Sequence, residues 1–145
     1  MKLAPSYPAT RYEPSPCFDL SAKAERERLS PSAIKAFLNI VEKWGVRDED
    51  ARTLLGGISN GRFYEIKKKP ERTLDADTLT RISYVIGIFK ALNILYSEKL
   101  ADAWVRRANT NRIFGGETPL AYMMKGGLPA MQIVRRLVDA RRGGV

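Results

Sequence analysis

The sequence predicts an all-α protein, and three observations support that prediction. Apolar residues recur at spacings of three and four along most of the chain after residue 30, which is the periodicity of helices with one buried face. Gly pairs and Ser–Pro or Thr–Pro steps separate these stretches, as expected for helix ends and helix starts. No stretch shows a convincing strand pattern. With 145 residues, the chain can form one compact unit or two small units that share a core.

Residues 1–29 are predicted to form an N-terminal arm. Four Pro residues lie within the first 16 positions, and Pro removes a backbone donor and cannot continue a helix. An extended or disordered segment is therefore expected there. The stretch Leu20–Leu29 is rich in Ala, Lys, Glu and Arg and favours a short charged helix.

A first long helix is predicted to begin at Ser30 and Pro31. Ser is a favourable N-cap, and Pro suits the first helical position, where its missing N–H costs little. One buried stripe then follows at helical spacing: Ile34, Phe37, Leu38, Val41 and Trp44. Gly45 is expected to end this helix.

Two shorter helices with a Gly-containing turn between them are predicted next. The first begins near Asp48, where three consecutive acidic residues would face the positive end of the helix dipole, and it ends at Gly56–Gly57. The second covers residues 59–68 and turns Phe63 and Ile66 inward. This layout is that of a helix-turn-helix, whose second helix normally enters the DNA major groove.

The polar face of that second helix supplies the residues expected to contact DNA. Its N-terminus can meet phosphate through short polar side chains and free N–H groups, and Arg62 can pair with a guanine edge. The expected set is Ser59, Asn60, Arg62, Tyr64, Lys67, Lys68 and Lys69. The alternative is a structural helix with a solvated basic end. The acidic cluster at residues 48–50 would repel phosphates, so one acidic edge is expected to point away from DNA.

Two further helices are predicted before the C-terminal segment. Asp75 or Asp77 caps a long helix with apolar residues at helical spacing over residues 79–95. Ser97 caps the next helix, whose apolar face includes Trp104. These long central helices offer apolar surface for a core and for a dimer face.

Composition narrows the range of functions. The chain has no His and one Cys, so neither a zinc site nor the commonest general base is available. No nucleophile–base pair is visible, so neither an enzyme nor a cofactor is expected. The longest apolar run is too short to span a bilayer and no secretory signal is seen, which favours a cytoplasmic protein without membrane contact.

The net charge of +9 is concentrated in two blocks. Residues 30–70 carry eight basic and five acidic side chains, and residues 111–145 carry six and two. Two separate acidic or polyanionic partners would explain this distribution. A surplus of solvated charge that keeps the protein soluble would explain it equally well.

The C-terminal segment contains the run N-R-I-F-G-G-E-T-P-L at 111–120, followed by M-K-G-G at 124–127. Turn chemistry explains its Gly residues better than phosphate binding, and Phe114 is expected to anchor the core. The run resembles the start of the toxin-binding domain of Xre/MbcA/ParS-type antitoxins. The stretch A-R-T-L-L-G-G-I-S-N-G-R-F-Y-E-I-K at 51–67 is similar to the Xre-like helix-turn-helix of the same group. The resemblance covers roughly residues 30 to 145.

The resemblance implies a type II antitoxin with two activities. The C-terminal region would bind and block its cognate toxin, which in this branch is typically a RES-domain toxin that consumes NAD+. The helix-turn-helix would bind operator DNA and repress the operon encoding both proteins, as a homodimer. The expected domains are an arm at 1–29, a helix-turn-helix domain at 30–95 and a toxin-binding or dimerisation domain at 96–145.

The last helix is predicted to span Leu128 to Arg142, with apolar residues on one stripe and Arg on the other faces. The residues expected to contact the toxin are Arg135, Arg136, Arg141, Arg142, Gly143, Gly144 and Val145. Arg is favoured at interfaces because its planar fork pairs with carboxylates. An ordinary amphipathic helix with a solvated Arg face is the alternative for any single Arg.

Two other functions fit the same residues. The main alternative is a stand-alone dimeric helix-turn-helix transcription regulator without a toxin partner, whose C-terminal domain only dimerises. An adjacent RES-domain gene would support the antitoxin instead. The third is an adaptor that binds another protein and no DNA, and steep salt dependence of DNA binding would argue against it.

Overall fold

The computed structural model describes residues 19–143, which are all-helical and contain no strand, as predicted. Six α-helices and one short 3-10 turn follow in this order: α1 Lys23–Lys43, α2 Asp48–Leu54, α3 Asn60–Lys68, α4 Ala76–Leu95, α5 Glu98–Trp104, the 3-10 turn Arg112–Phe114, and α6 Pro119–Gly143. The Pro-rich part of the expected arm, as well as Gly144 and Val145, lies outside the described residues.

The central element is α4, around which α1, α5 and α6 pack. Its buried positions follow helical spacing: Thr78, Leu79, Ile82, Val85, Gly87, Ile88, Ala91 and Leu92. α2 also contacts α6, so helices that precede and follow α4 in sequence meet each other. One hydrophobic core therefore joins the two ends of the described chain.

By length and composition alone, α4 would be able to cross a bilayer, and it is the one helix of residues 19–143 for which this holds. Three other helices cover its sides, however. Burial against protein explains its apolar composition, because a helix at the centre of a core is apolar on most faces.

The start of α1 differs from the prediction. The helix runs over Lys23–Lys43 without interruption, so Ser30 and Pro31 lie inside it and do not begin it. The stretch predicted as a separate charged helix is the first part of α1. The Ser30 hydroxyl donates to the Arg26 carbonyl at 2.6 Å and accepts from the Leu74 N–H at 2.9 Å. Ser30 therefore links α1 to the loop before α4 instead of capping a helix.

We expect Ser30→Ala to lower the free energy of unfolding by about 1–3 kcal/mol, because the Leu74 N–H would stay buried without a partner. Ser30 itself is completely buried. Urea denaturation of the purified variant measures the effect. Ser32→Ala, at an exposed position on the same helix, is the control and should change stability by at most about 0.5 kcal/mol. Equal stability of both variants would show that the hydrogen bond to Leu74 contributes little.

Most other helix ends agree with the prediction. Ser59 caps α3 and Asp75 caps α4, each by accepting from a backbone N–H three residues on. Ser97 precedes α5 but makes no side-chain capping bond. Gly127 interrupts α6 with φ 64° and ψ −146°, a backbone conformation that is essentially restricted to Gly. The predicted second Gly stop is therefore confirmed, and the last helix continues from Leu128.

Candidate nucleic-acid and partner-binding surfaces

The α2–turn–α3 unit has the layout of a helix-turn-helix. Gly56 and Gly57 in the turn have φ of 96° and 78°, which Gly adopts without strain. Phe63 and Ile66 are each 2% exposed and hold α3 against the core, as predicted. The opposite face of α3 consequently lies in water, where a ligand can reach it.

The residues expected to contact DNA lie on α3 and at its two ends, outside its buried face. All seven are exposed: Ser59, Asn60, Arg62, Tyr64, Lys67, Lys68 and Lys69. Tyr64 is 60% exposed, with the Lys68 amine 6.0 Å from its ring centroid. The structure thus brings together an aromatic ring, a polar N-terminus and a basic C-terminus on one helix.

Two of these cations have carboxylate partners that the sequence did not indicate. The Arg62 guanidinium donates to Asp75 at 2.8 Å, and the Lys67 amine donates to Asp48 at 3.0 Å. Both pairs are largely exposed, so each stabilises the fold only weakly and is open to exchange for phosphate.

Asp48, one of the three acidic residues at the start of α2, lies beside α3. Asp48, Asn60, Tyr64 and Lys67 line one hollow of about 220 Å³ beside α3. Asp50 pairs instead with Arg47 at 3.5 Å. A carboxylate therefore lies beside three of the expected DNA contacts, where it offsets the charge of Lys67.

Asp75 caps α4 and pairs with Arg62 of α3, and its pKa is shifted from the ordinary value. Partial burial raises the pKa of Asp75, but hydrogen bonds from the Thr78 hydroxyl and N–H, together with the charge of Arg62, outweigh that effect. The Thr78 hydroxyl donates at 2.7 Å and its N–H at 3.1 Å. The pKa of Asp75 therefore lies below its ordinary value, and the ionised form is the one that caps α4.

This lowered pKa predicts a pH-dependent contribution to stability. The contribution of Asp75 should be complete above the unfolded-state pKa of about 4 and disappear as the pH falls through the lower folded-state pKa. Urea denaturation of wild type and Asp75→Asn between about pH 7 and pH 3 tests it. The difference in free energy of unfolding should be constant near neutrality and shrink in acid. A difference that did not change with pH would contradict the assignment.

Phe114 is the main anchor of the C-terminal unit. It is 1% exposed, and its ring lies edge-on to Trp104 at 6.1 Å and to Tyr122 at 5.3 Å between centroids. The 3-10 turn that positions it follows Asn111, whose side chain accepts from the Ile113 N–H. The prediction of a core anchor at Phe114 is confirmed, although the 3-10 turn itself was not predicted.

An open groove of about 490 Å³ lies between the 3-10 turn and the break in α6. Its walls include Ile113 and Ile133, each 39% exposed, and its charged lining includes Arg112 and Lys125. Lys125 pairs with Glu117 at 2.9 Å. No sequence pattern marks this groove, because its two apolar walls, Ile113 and Ile133, lie far apart in sequence, on the 3-10 turn and on α6 beyond the Gly127 break.

The basic residues expected to contact the toxin have different surroundings. The Arg135 guanidinium lies across α4 at Gly87, where an added Cβ would come within 1.7 Å of it, and it donates to Asp139 at 2.7 Å. Arg135 is therefore engaged within the fold. Arg136 is exposed, and Arg141 is partly exposed near the end of α6. Arg142 and Gly143 are the last two residues that the structure describes.

Among residues 19–143, no group of three or more His, Cys, Asp or Glu side chains could hold a metal ion. The described residues carry two basic surfaces, one on α3 and one on the C-terminal unit, and both belong to one core. The class of protein is therefore an all-helical one, with a helix-turn-helix followed by a helical C-terminal unit.

Comparison with known proteins specifies the class further. Residues 23–87 match the antitoxin Xre-like helix-turn-helix domain, and residues 91–144 match the antitoxin Xre/MbcA/ParS C-terminal toxin-binding domain. The chain is 38% identical to uncharacterized protein y4oB of Sinorhizobium fredii (strain NBRC 101917 / NGR234) over 115 residues, covering 79% of this chain and 87% of the relative. The chain belongs to the Xre/MbcA/ParS family of antitoxins and is a type II antitoxin with a DNA-binding helix-turn-helix.

Proposed function

We propose that this antitoxin neutralises a RES-domain toxin that consumes NAD+ and represses its own operon as a cytoplasmic homodimer. The observation that carries the proposal is the presence of two basic surfaces on one core, α3 and the C-terminal unit, each within a matching family domain. The RES partner is the one typical of the antitoxin branch that the sequence resembles.

In the proposed DNA complex, α3 enters the major groove with its exposed face. Arg62 reads a guanine edge after exchanging Asp75 for the base, since a bidentate contact in the groove is stronger than an exposed ion pair. Ser59 and Asn60 at the helix N-terminus, and Lys67, Lys68 and Lys69 at its C-terminal end, contact phosphates. Tyr64 lies between these two groups and contacts the backbone or a base edge.

In the proposed toxin complex, the end of α6 and the tail block the mouth of the NAD+ site. Such a site must accommodate a pyrophosphate, so cations near its mouth are favourable. Arg136, Arg141, Arg142 and the tail residues 143–145 supply the contacts. Arg135 contributes indirectly, because its packing across Gly87 fixes the direction of α6.

A dimer face is proposed where apolar side chains remain exposed beside the central helix. Ile94 at the end of α4 is 47% exposed and Leu100 on α5 is 49% exposed. A two-fold pair of such faces would place two α3 helices on two half-sites of a pseudo-palindrome.

Co-purification with the product of the neighbouring gene, together with an NAD+-consumption assay, tests the function. We expect a stable complex in which NAD+ loss is suppressed, and we expect a chain shortened after Asp139 to bind without full inhibition. Full inhibition by the shortened chain would contradict the blocking role of the tail. If no complex forms while operator binding remains salt-sensitive, the protein is a stand-alone dimeric regulator.

A further inference from the structure

The groove between the 3-10 turn and the break in α6 is distinct from the basic end of α6 formed by Arg141 and Arg142. The groove is lined by residues between 112 and 133, whereas Arg141 lies eight residues beyond Ile133. At 1.5 Å per residue, Ile133 and Arg141 are separated by about 12 Å along the helix axis. The groove also lies wholly within the part of the chain that matches the toxin-binding domain.

The shape of the groove is fixed by its own backbone. A Cβ added at Gly126 would lie 2.6 Å from the Cβ of Ala130, and Gly127 has a conformation open only to Gly. Phe114 lies beneath the groove and is held by two aromatic rings. A partner would therefore find a preformed surface, and little ordering would oppose binding.

The lining of the groove combines apolar anchors with positive charge. Ile113 and Ile133 each expose more than a third of their surfaces and line the same groove, so together they offer a partner an apolar contact. Arg112 is exposed, and the Lys125 side chain is 74% exposed although its amine contacts Glu117. The other carboxylate of residues 111–143, Asp139, is engaged with Arg135. The charge that complements this lining is negative.

We propose that this groove binds an amphipathic segment of the toxin. An apolar side chain of that segment packs against Ile113 and Ile133, and carboxylates beside it face Arg112 and Lys125. The groove supplies affinity while the tail blocks the catalytic site, so the antitoxin holds its partner at two points. This inference rests on the proposed function only in that a toxin is bound.

The test compares the affinity of wild-type and variant chains for the toxin encoded by the neighbouring gene, measured by calorimetry. Ile133→Asp should weaken binding at least about tenfold, since it places a charge in an apolar contact and repels carboxylates. Ile133→Lys should weaken binding less than Ile133→Asp at low salt, because its amine suits an acidic partner. Ala108→Asp adds the same charge at an exposed position outside the groove and should bind like wild type.

The possible results show whether the groove proposal, the proposed function or both are wrong. Wild-type affinity in Ile133→Asp would overturn the groove while leaving the antitoxin–toxin pair intact. Equal losses in the Asp and Lys variants would overturn the acidic character of the segment. Absence of binding by the wild-type chain would overturn the proposed function as well. Arg112→Glu, at an exposed position on the 3-10 turn, should weaken binding several-fold without affecting the core and provides a second readout.

Discussion

Replacing Phe114 with Ala should lower the free energy of unfolding by about 3–5 kcal/mol, the range for a fully buried aromatic side chain. The ring is 1% exposed, and its two edge-on aromatic contacts would be lost together. For a helical protein of this size, the change corresponds to a fall in Tm of roughly 10–20 °C. Thermal unfolding followed by circular dichroism measures it.

Phe114→Leu is the matched variant, because it keeps an apolar side chain in the same cavity and should lose much less stability. Toxin binding should follow stability in this pair, since the Phe114 ring supports the groove from below. An unchanged Tm in Phe114→Ala would show that Trp104 and Tyr122 close over the vacated space and that Phe114 is not the anchor.

Arg62→Ala is expected to weaken operator binding by about 1–3 kcal/mol and to relax the preference at one base pair. Lys68→Ala should instead lower affinity evenly for all DNA sequences and reduce the salt slope of the logarithmic binding constant by about one. The difference follows from their places on α3: Arg62 lies in its first turn, and Lys68 is its last residue. Anisotropy titrations with the operator and single-base variants, at several salt concentrations, distinguish the two effects.

Asp48→Asn is a control that should change DNA affinity in the opposite direction. Removing this carboxylate releases Lys67 and takes a negative charge off the proposed DNA face, so affinity should increase. Equal losses on operator and random DNA in Arg62→Ala would show that Arg62 contacts a phosphate and reads no base.

Much of the fold could be predicted because the signals are local. The spacing of apolar residues predicted most of the buried positions of α1, α3 and α4, although Leu38 is only partly buried and the buried Ile40 was not in the predicted stripe. The Gly residues at 56–57 and 127 marked real breaks. Phe114 was recognised as a core residue from its place between two Gly-bounded turns. The helix start predicted at Ser30–Pro31 was wrong, because α1 runs through both residues and the Ser30 hydroxyl bonds to the backbone of a loop 44 residues away.

The electrostatics of the two surfaces could not be predicted in the same way. Lys67 and Asp48 are 19 residues apart, and Arg135 lies over a Gly that belongs to another helix. Such pairings depend on how helices pack, which no local pattern determines. Predicting the groove likewise requires knowing how far the 3-10 turn lies from α6. The seven expected DNA contacts are all exposed, because one short helix and its two ends carry them and only Phe63 and Ile66 of that helix are buried.

The two family domains meet inside one uninterrupted helix, since the first match ends at residue 87 and the second begins at residue 91, both within Ala76–Leu95. Neither half would keep a closed core without the other. A cellular protease that unravels the chain from either end would therefore destroy both halves in one event. Turnover of this antitoxin would then release its toxin and its DNA together, with no intermediate that retains only one of them.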